Sequence, residues 1–250
     1  MTKDDAPRRL DLALVARGLA ASRAQARDLV KRGAVSVHGV TASRPAMTVA
    51  AADTIAVADG AGDFVSRGAF KLLAALDQFQ FDAAGRTALD IGASTGGFTQ
   101  VLLQRGAAHV YAVDVGHGQL NPRIAGNTRV TSLEGRDARS LARVDIPGPI
   151  GAIVADVSFI SVTKALPAAL ALSVPGCWLI VLVKPQFEAG REAVGKRGVV
   201  RDPEDRQRAL ATVEAWVRAQ PGWRIVGTVP SPIAGGSGNL ECLLGAVRDA

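Results

Sequence analysis

The chain has 250 residues, 48% hydrophobic and 21% charged, a balance that excludes wholesale disorder and predicts one large domain with a small companion. Its formal net charge of +6 favours polyanionic partners, and the first sixty residues hold nine Lys/Arg against six Asp, concentrating positive charge at the N-terminus. Cys177 and Cys242 lie in apolar runs and read as core residues of a reducing compartment, while the lack of a signal stretch or a membrane-length apolar run predicts a cytoplasmic, soluble protein.

Leu10, Leu12, Leu14 and Val15 predict a short helix stopped by Gly18. Ser22 followed by Gln25 is a capping-box pattern for a second helix, running through Leu29 and Val30 to Gly33. On that helix Arg23, Arg27 and Lys31 recur every four residues, with Arg32 beside them, and form one basic stripe. A stripe alone is either a solvated face or a phosphate-contacting one. Val35, Val37, a His38-Gly39 turn, Val40, and then Val49, Ile55 and Val57 predict short strands packed on the helices.

This order, and RLDLALVARGLAASRAQARDLVKRGAVSVHGV along almost its whole length, resembles the alpha-L RNA-binding motif shared by a small-subunit ribosomal protein, pseudouridine synthases and tyrosyl-tRNA synthetases. The resemblance implies that Arg9, Arg23, Arg27, Lys31 and Arg32 contact RNA. His38 stands where that motif usually has Asn, which is expected to alter the turn and not the partner. The Gly-rich ADGAGD from Ala58 to Asp63 reads as a linker. Residues 1–60 are thus expected to form the RNA-binding domain, 61–65 the linker and 66–250 the second domain.

Beyond Phe64, strands are predicted at Thr87 to Ile91, His109 to Val115, Arg129 to Leu133, Gly151 to Val157, Cys177 to Lys184, Trp223 to Val229 and Leu240 to Val247. Most are separated by enough chain for a crossover helix, which predicts an α/β, Rossmann-like, doubly wound sheet of seven strands. The last two lack a helix between them and are expected to pair antiparallel, an ending typical of methyltransferases and not of dinucleotide dehydrogenases. The stretch after Lys184, PQFEAGREAVGKRGVVRDPEDR, reads as a charged loop in which Arg191, Lys196 and Arg197 are candidates for RNA phosphate contact or a plain solvated surface.

Leu89-Asp90-Ile91-Gly92-Ala93-Ser94-Thr95-Gly96-Gly97-Phe98 is a strand entering a glycine-rich turn and a helix, where backbone N–H groups can approach a ligand. A plain tight turn and a nicotinamide site are the alternatives. Asp114, at the end of the next strand, is placed to accept hydrogen bonds from ribose hydroxyls. Three details favour S-adenosylmethionine: Asp90 able to face a ligand ammonium, Ser94 breaking the dinucleotide fingerprint, and Asp137 placed for an adenine amino group. Lys71, Asp156, Lys184 and Glu241 are charged where the pattern predicts burial or a strand end, with Glu241 inside the last strand.

SRGAFKL, DIGASTGGF, ADVSFIS, LVKPQFE and SGNLE resemble the FtsJ-like 2′-O-ribose methyltransferases, and with the N-terminal module the whole chain, from about Arg9 to Val247, resembles the TlyA (hemolysin A) family of ribosomal RNA methyltransferases. The resemblance implies a catalytic tetrad of Lys71, Asp156, Lys184 and Glu241. It implies S-adenosylmethionine held by Asp90, Gly92, Ala93, Ser94, Thr95, Gly96, Gly97, Phe98, Asp114, Val115, Gly116, Asp137, Ala138 and Asp156. Asp63-Phe64-Val65 departs from a stretch where a basic residue and a tryptophan are common in the family.

A ribose 2′-hydroxyl needs a base, and a lysine serves as one when burial or a neighbouring ammonium lowers its pKa. Lys184 is assigned as base, Asp156 and Glu241 as orienting groups, and Lys71 as support for the developing oxyanion. The expected partners are ribosomal RNA or ribosomal subunits, with cytidine as target in small- or large-subunit RNA, no metal, no membrane, and a monomer favoured. The rival readings are an RNA-binding assembly factor, a membrane-active hemolysin and a nicotinamide-dependent oxidoreductase.

Overall fold

The computed structural model describes residues 7–20, 22–31, 33–57, 64–235 and 237–249. Arg32, the ADGAGD stretch and residues 61–63 of the expected linker lie outside the described residues. The chain divides into two compact units, Met1–Arg67 and Gly68–Ala250.

In the smaller unit, helices Leu10–Ala16 and Arg23–Lys31 pack together and bury Leu10, Ala13, Leu14, Ala26, Leu29 and Val30. The buried set of the first helix follows the 3.6-residue period, which turns Leu12 and Val15 outward. Ser22 Oγ accepts the Gln25 N–H at 3.2 Å, and Gly18 and Gly33 follow the helices with φ of 70° and 71°, the left-handed stops that glycine tolerates. Strand Val35–Val37 pairs antiparallel with Val40–Thr41 and with Ile55–Val57, while Thr48–Val49 pairs with Arg8–Arg9. His38 and Gly39 close the first hairpin with φ of 52° and 78°. Two successive positive-φ residues are also what an Asn-Gly pair supplies.

The larger unit is built on seven strands: β1 (Thr87–Ile91), β2 (His109–Asp114), β3 (Val130–Glu134), β4 (Ile150–Ala155), β5 (Ser173–Val183), β6 (Trp223–Pro230) and β7 (Cys242–Arg248). Their order in the sheet is β6-β7-β5-β4-β1-β2-β3. Strands β1 to β5 run parallel, and β7 runs antiparallel to both of its neighbours. Cys177 to Val183 is buried without a break, as expected of a strand covered on both faces. Strand β5 starts at Ser173, ahead of the expected Cys177, because Pro175 and Gly176 sit at a register shift between Ser173 and Trp178, the kind of bulge that admits a proline into a sheet.

Two further expectations are corrected. Strand β7 begins at Cys242, with Leu240 exposed and Glu241 just outside the strand. The stretch after Lys184 is not one loop: Pro185–Glu188 forms a helical turn and Arg191–Ala193 a 3-10 turn, and Asp202 caps a long helix, Pro203–Arg218, by accepting the Glu204 N–H at 2.8 Å. Among the described residues no helix is long and apolar enough to cross a membrane.

The chain winds from β1 to β2 and β3 on one side and reaches β4 and β5 on the other, so the sheet has its switch point between β1 and β4. There Gly92 has φ of 81°, and a Cβ on it would lie 2.6 Å from the Asp156 carbonyl oxygen. Gly92→Ala is expected to destabilise the protein by about 2 kcal/mol or more, since it adds backbone strain to a backbone clash. Urea denaturation of the two proteins measures it.

Candidate active site

A cleft of about 1310 Å³ opens over the carboxyl ends of the central strands, lined on one side by Gly92, Ser94, Asp114, Val115, Gly116, Asp137 and Ala138 and on the other by Asp156 to Ser161, Lys164, Gln186, Phe187 and Arg191. Eight of the expected cofactor residues, including Asp156, are thus on its wall. Thr95, Gly96, Gly97 and Phe98 are not: Phe98 is packed into the core, and Gly96, with φ of 91°, sits where a Cβ would strike Leu120. Ala93 is buried behind the wall.

Asp90 lies within β1, fully buried. Its Oδ2 accepts from Thr99 Oγ at 2.6 Å, while Oδ1 is buried with no hydrogen-bond partner. Burial, with Asp156 and Asp114 adding repulsion, pushes its carboxyl up to about 7. Asp90 Oδ1 is thus a buried acceptor whose hydrogen-bonding capacity no described group meets. The Asp114 oxygens accept the Ser94 and Gly116 N–H groups, each at 2.8 Å, so the carboxylate that ends β2 is fixed by the glycine turn. Asp137 caps the 3-10 turn Ala138–Ser140, and the Arg139 guanidinium, 2.5 Å away, holds its carboxyl below the usual range.

Asp156 follows β4 and Lys184 follows β5. Lys184 Nζ lies 2.6 Å from Asp156 Oδ1 and donates to Ser158 Oγ at 2.9 Å. Lys71, on helix Gly68–Phe79, donates to Glu241 Oε2 at 2.5 Å, and both are nearly fully buried. The register that pairs Val183 with Cys242 sets Lys184, one step past β5, opposite Glu241, one step before β7. Each lysine therefore has a carboxylate partner, and the tetrad resolves into two ion pairs, one at the cleft and one in the interior.

The sequence reading missed Thr99, which holds Asp90, and Ser158, which holds Lys184. It also missed Phe159, which is 92% exposed with φ of 66° on the cleft wall; the available signal was an aromatic directly beyond a predicted strand end. In the smaller unit it missed Asp11. Fully buried, Asp11 accepts from Arg9 and Arg23, each Nε at 3.0 Å, and these guanidiniums hold its carboxyl at about 2. Arg9 and Arg23 are thus anchored at one end while half exposed, and Arg27 and Lys31 are exposed.

Residues 64–248 match the FtsJ-like methyltransferase family model, and residues 8–55 match the S4 domain. The chain belongs to the FtsJ-like methyltransferase family. Like it across 94% of this chain and 88% of the relative, at 48% identity, is the 16S/23S rRNA (cytidine-2′-O)-methyltransferase TlyA of Mycobacterium tuberculosis. A solved Streptococcus thermophilus protein that carries the hemolysin name is 38% identical, with TM-score 0.74 over 97% of this chain and 89% of that one. An O-methyltransferase of Bacillus cereus, solved in complex with SAH, shares the fold at 20% identity and TM-score 0.52, over 74% of this chain and 82% of that one. This FtsJ-like chain carries the family's methyltransferase sheet with an S4 domain ahead of it.

Because Asp90 titrates near 7, a cation that binds against its carboxylate must ionise it first at lower pH. The sign follows: the folded group is protonated below 7, so affinity for S-adenosylmethionine is expected to fall about tenfold per unit as pH drops from 7 to 5. Asp90→Asn should flatten that dependence. Calorimetric titration across this range, in buffers of different ionisation heat, checks both the affinity and the proton release.

Proposed function

We propose that this protein transfers a methyl group from S-adenosylmethionine to a ribose 2′-oxygen of ribosomal RNA, at cytidine in the small or large subunit, in the cytoplasm. The observation that carries the reading is the Asp156–Lys184 pair, whose carboxylate stands on the wall of a cleft that Gly92, Ser94 and Asp114 also line. An acid–base pair at a cleft over the carboxyl ends of the strands suits proton removal coupled to group transfer. The sequence likeness to a 16S/23S rRNA (cytidine-2′-O)-methyltransferase and the S4 domain support the same substrate.

S-adenosylmethionine supplies the methyl group on an activated sulfonium. When it is bound, Asp90 would pair with its ammonium, Asp114 would hold its ribose, and Asp137 and Ala138 would meet its adenine. Lys184 would take the proton of the 2′-hydroxyl as the oxygen gains the methyl group. Asp156 orients Nζ and stabilises the ammonium that forms, and Ser158 fixes its direction. The Lys71–Glu241 pair, its charges balanced in the interior, holds the β5–β7 edge in place. Phe159 offers an exposed ring on which the target nucleobase stacks once it leaves the RNA helix, and Arg9, Arg23, Arg27, Lys31 and Arg32 hold phosphates.

Lys184→Ala is expected to lower methyl transfer to ribosomal subunits by about 10²–10⁴-fold while S-adenosylmethionine still binds. Transfer of labelled methyl, set beside calorimetric cofactor binding, measures both. Wild-type protein that binds S-adenosylmethionine yet labels neither subunit would support the assembly-factor reading instead.

A further inference from the structure

Two segments leave the carboxyl edge of the sheet beside each other: residues 157–161 after β4, which carry Phe159, and Pro185–Glu188 after β5. One side chain joins them. Glu188 Oε2 accepts from Ser161 Oγ at 2.6 Å, and its Oε1 accepts the Val162 N–H at 2.9 Å. Ser161 in turn caps the turn Val162–Ala165 by accepting the Thr163 N–H at 3.2 Å. The two segments also touch through Phe159 and Phe187, whose rings lie 5.3 Å apart at 51°.

Phe159 needs such support. The residue is 92% exposed, so packing does little to hold it, and its backbone sits in the left-handed region that a bulky side chain rarely adopts. A conformation of this kind persists when neighbouring atoms fix the chain on either side. On one side the chain is fixed by β4 and by the Asp156 N–H bonded to the Ile91 carbonyl at 2.9 Å. On the other side the fixing group is the Glu188 carboxylate. No other part of the mechanism uses Glu188, although it sits four residues beyond Lys184 and is well covered; burial pushes its carboxyl above the usual range, against the pull of its two hydrogen bonds.

We propose that Glu188 is a positioning residue for the RNA substrate: it ties the chain after β5 to the chain after β4 and so holds Phe159 in the exposed, left-handed pose that receives the target nucleobase. This rests on the stacking role given to Phe159 above. Glu188 acts through Phe159 and is not among the residues that line the cleft, so its removal costs substrate recognition and leaves cofactor binding alone. Gln restores one acceptor for the Val162 N–H and an amide that can donate to Ser161 Oγ, so it substitutes for most of the tie.

The test is a double-mutant cycle of Glu188→Ala with Phe159→Ala, read as KM for ribosomal subunits, kcat, and S-adenosylmethionine affinity. Glu188→Ala is expected to raise KM about tenfold, the scale of losing buried hydrogen bonds. Cofactor affinity should stay within about twofold, Glu188→Gln should recover most of the loss, and Glu188→Ala should add nothing in the Phe159→Ala background. An unchanged KM, or an equal loss in both backgrounds, overturns the proposal. Should Glu188→Ala not fold, Ser161→Ala, which removes one of the two bonds, is expected to raise KM in the same direction and by less, and no rise there overturns it too. If Phe159→Ala alone leaves KM unchanged, the stacking reading fails; if Phe159→Ala raises KM and Glu188→Ala does not, only the positioning role fails.

Discussion

The antiparallel placement of β7 between β5 and β6 is the constraint on which the reacting centre depends. In a purely parallel sheet only strand ends meet the ligand edge, and each contributes a residue that points out of a carboxyl terminus. Because β7 runs the other way, with Cys242 paired to Val183, its beginning lies at that same edge. Glu241 is delivered there, opposite Lys184, by the register itself. A slip of one residue would turn Glu241 to the other face and leave Lys71 buried without a partner, so the backbone ladder and the ion pair enforce the same alignment.

The two ion pairs differ in what surrounds them, and the difference suits separate tasks. Lys71 and Glu241 are shielded from water, where an isolated charge is costly and a matched pair is held tightly. They form a fixed feature of the scaffold. Asp156 and Lys184 are more open, and Lys184 also binds Ser158. Asp90 presents a third case, a buried carboxylate with one satisfied oxygen and one orphan. Burial pushes its carboxyl up to about 7.

Much of this was legible in the residues because strand periodicity and glycine stops are local signals. Thr87 to Ile91 emerges as a strand with both ends as read, and Gly18 and Gly33 end their helices. Lys71, Asp156, Lys184 and Glu241 stood out as charges set in apolar surroundings. What escaped was set by partners distant in sequence. Asp11 reads as a solvated helix charge until Arg9 and Arg23 close over it; Glu188 reads as a loop charge until Ser161 is seen across the cleft edge. The start of β5 at Ser173 was hidden by a proline tolerated at a bulge, and the division of the stretch after Lys184 into short helical turns depended on the Asp202 cap and on Glu188. None of these leaves a periodic trace.

The most direct test of the account is nucleoside mass spectrometry of ribosomal subunit RNA after incubation with the protein and isotope-labelled S-adenosylmethionine. The account predicts the label on ribose, as 2′-O-methylcytidine. Label on a nucleobase would contradict it, because a 2′-hydroxyl would then not be the group that Lys184 and Asp156 are built to deprotonate.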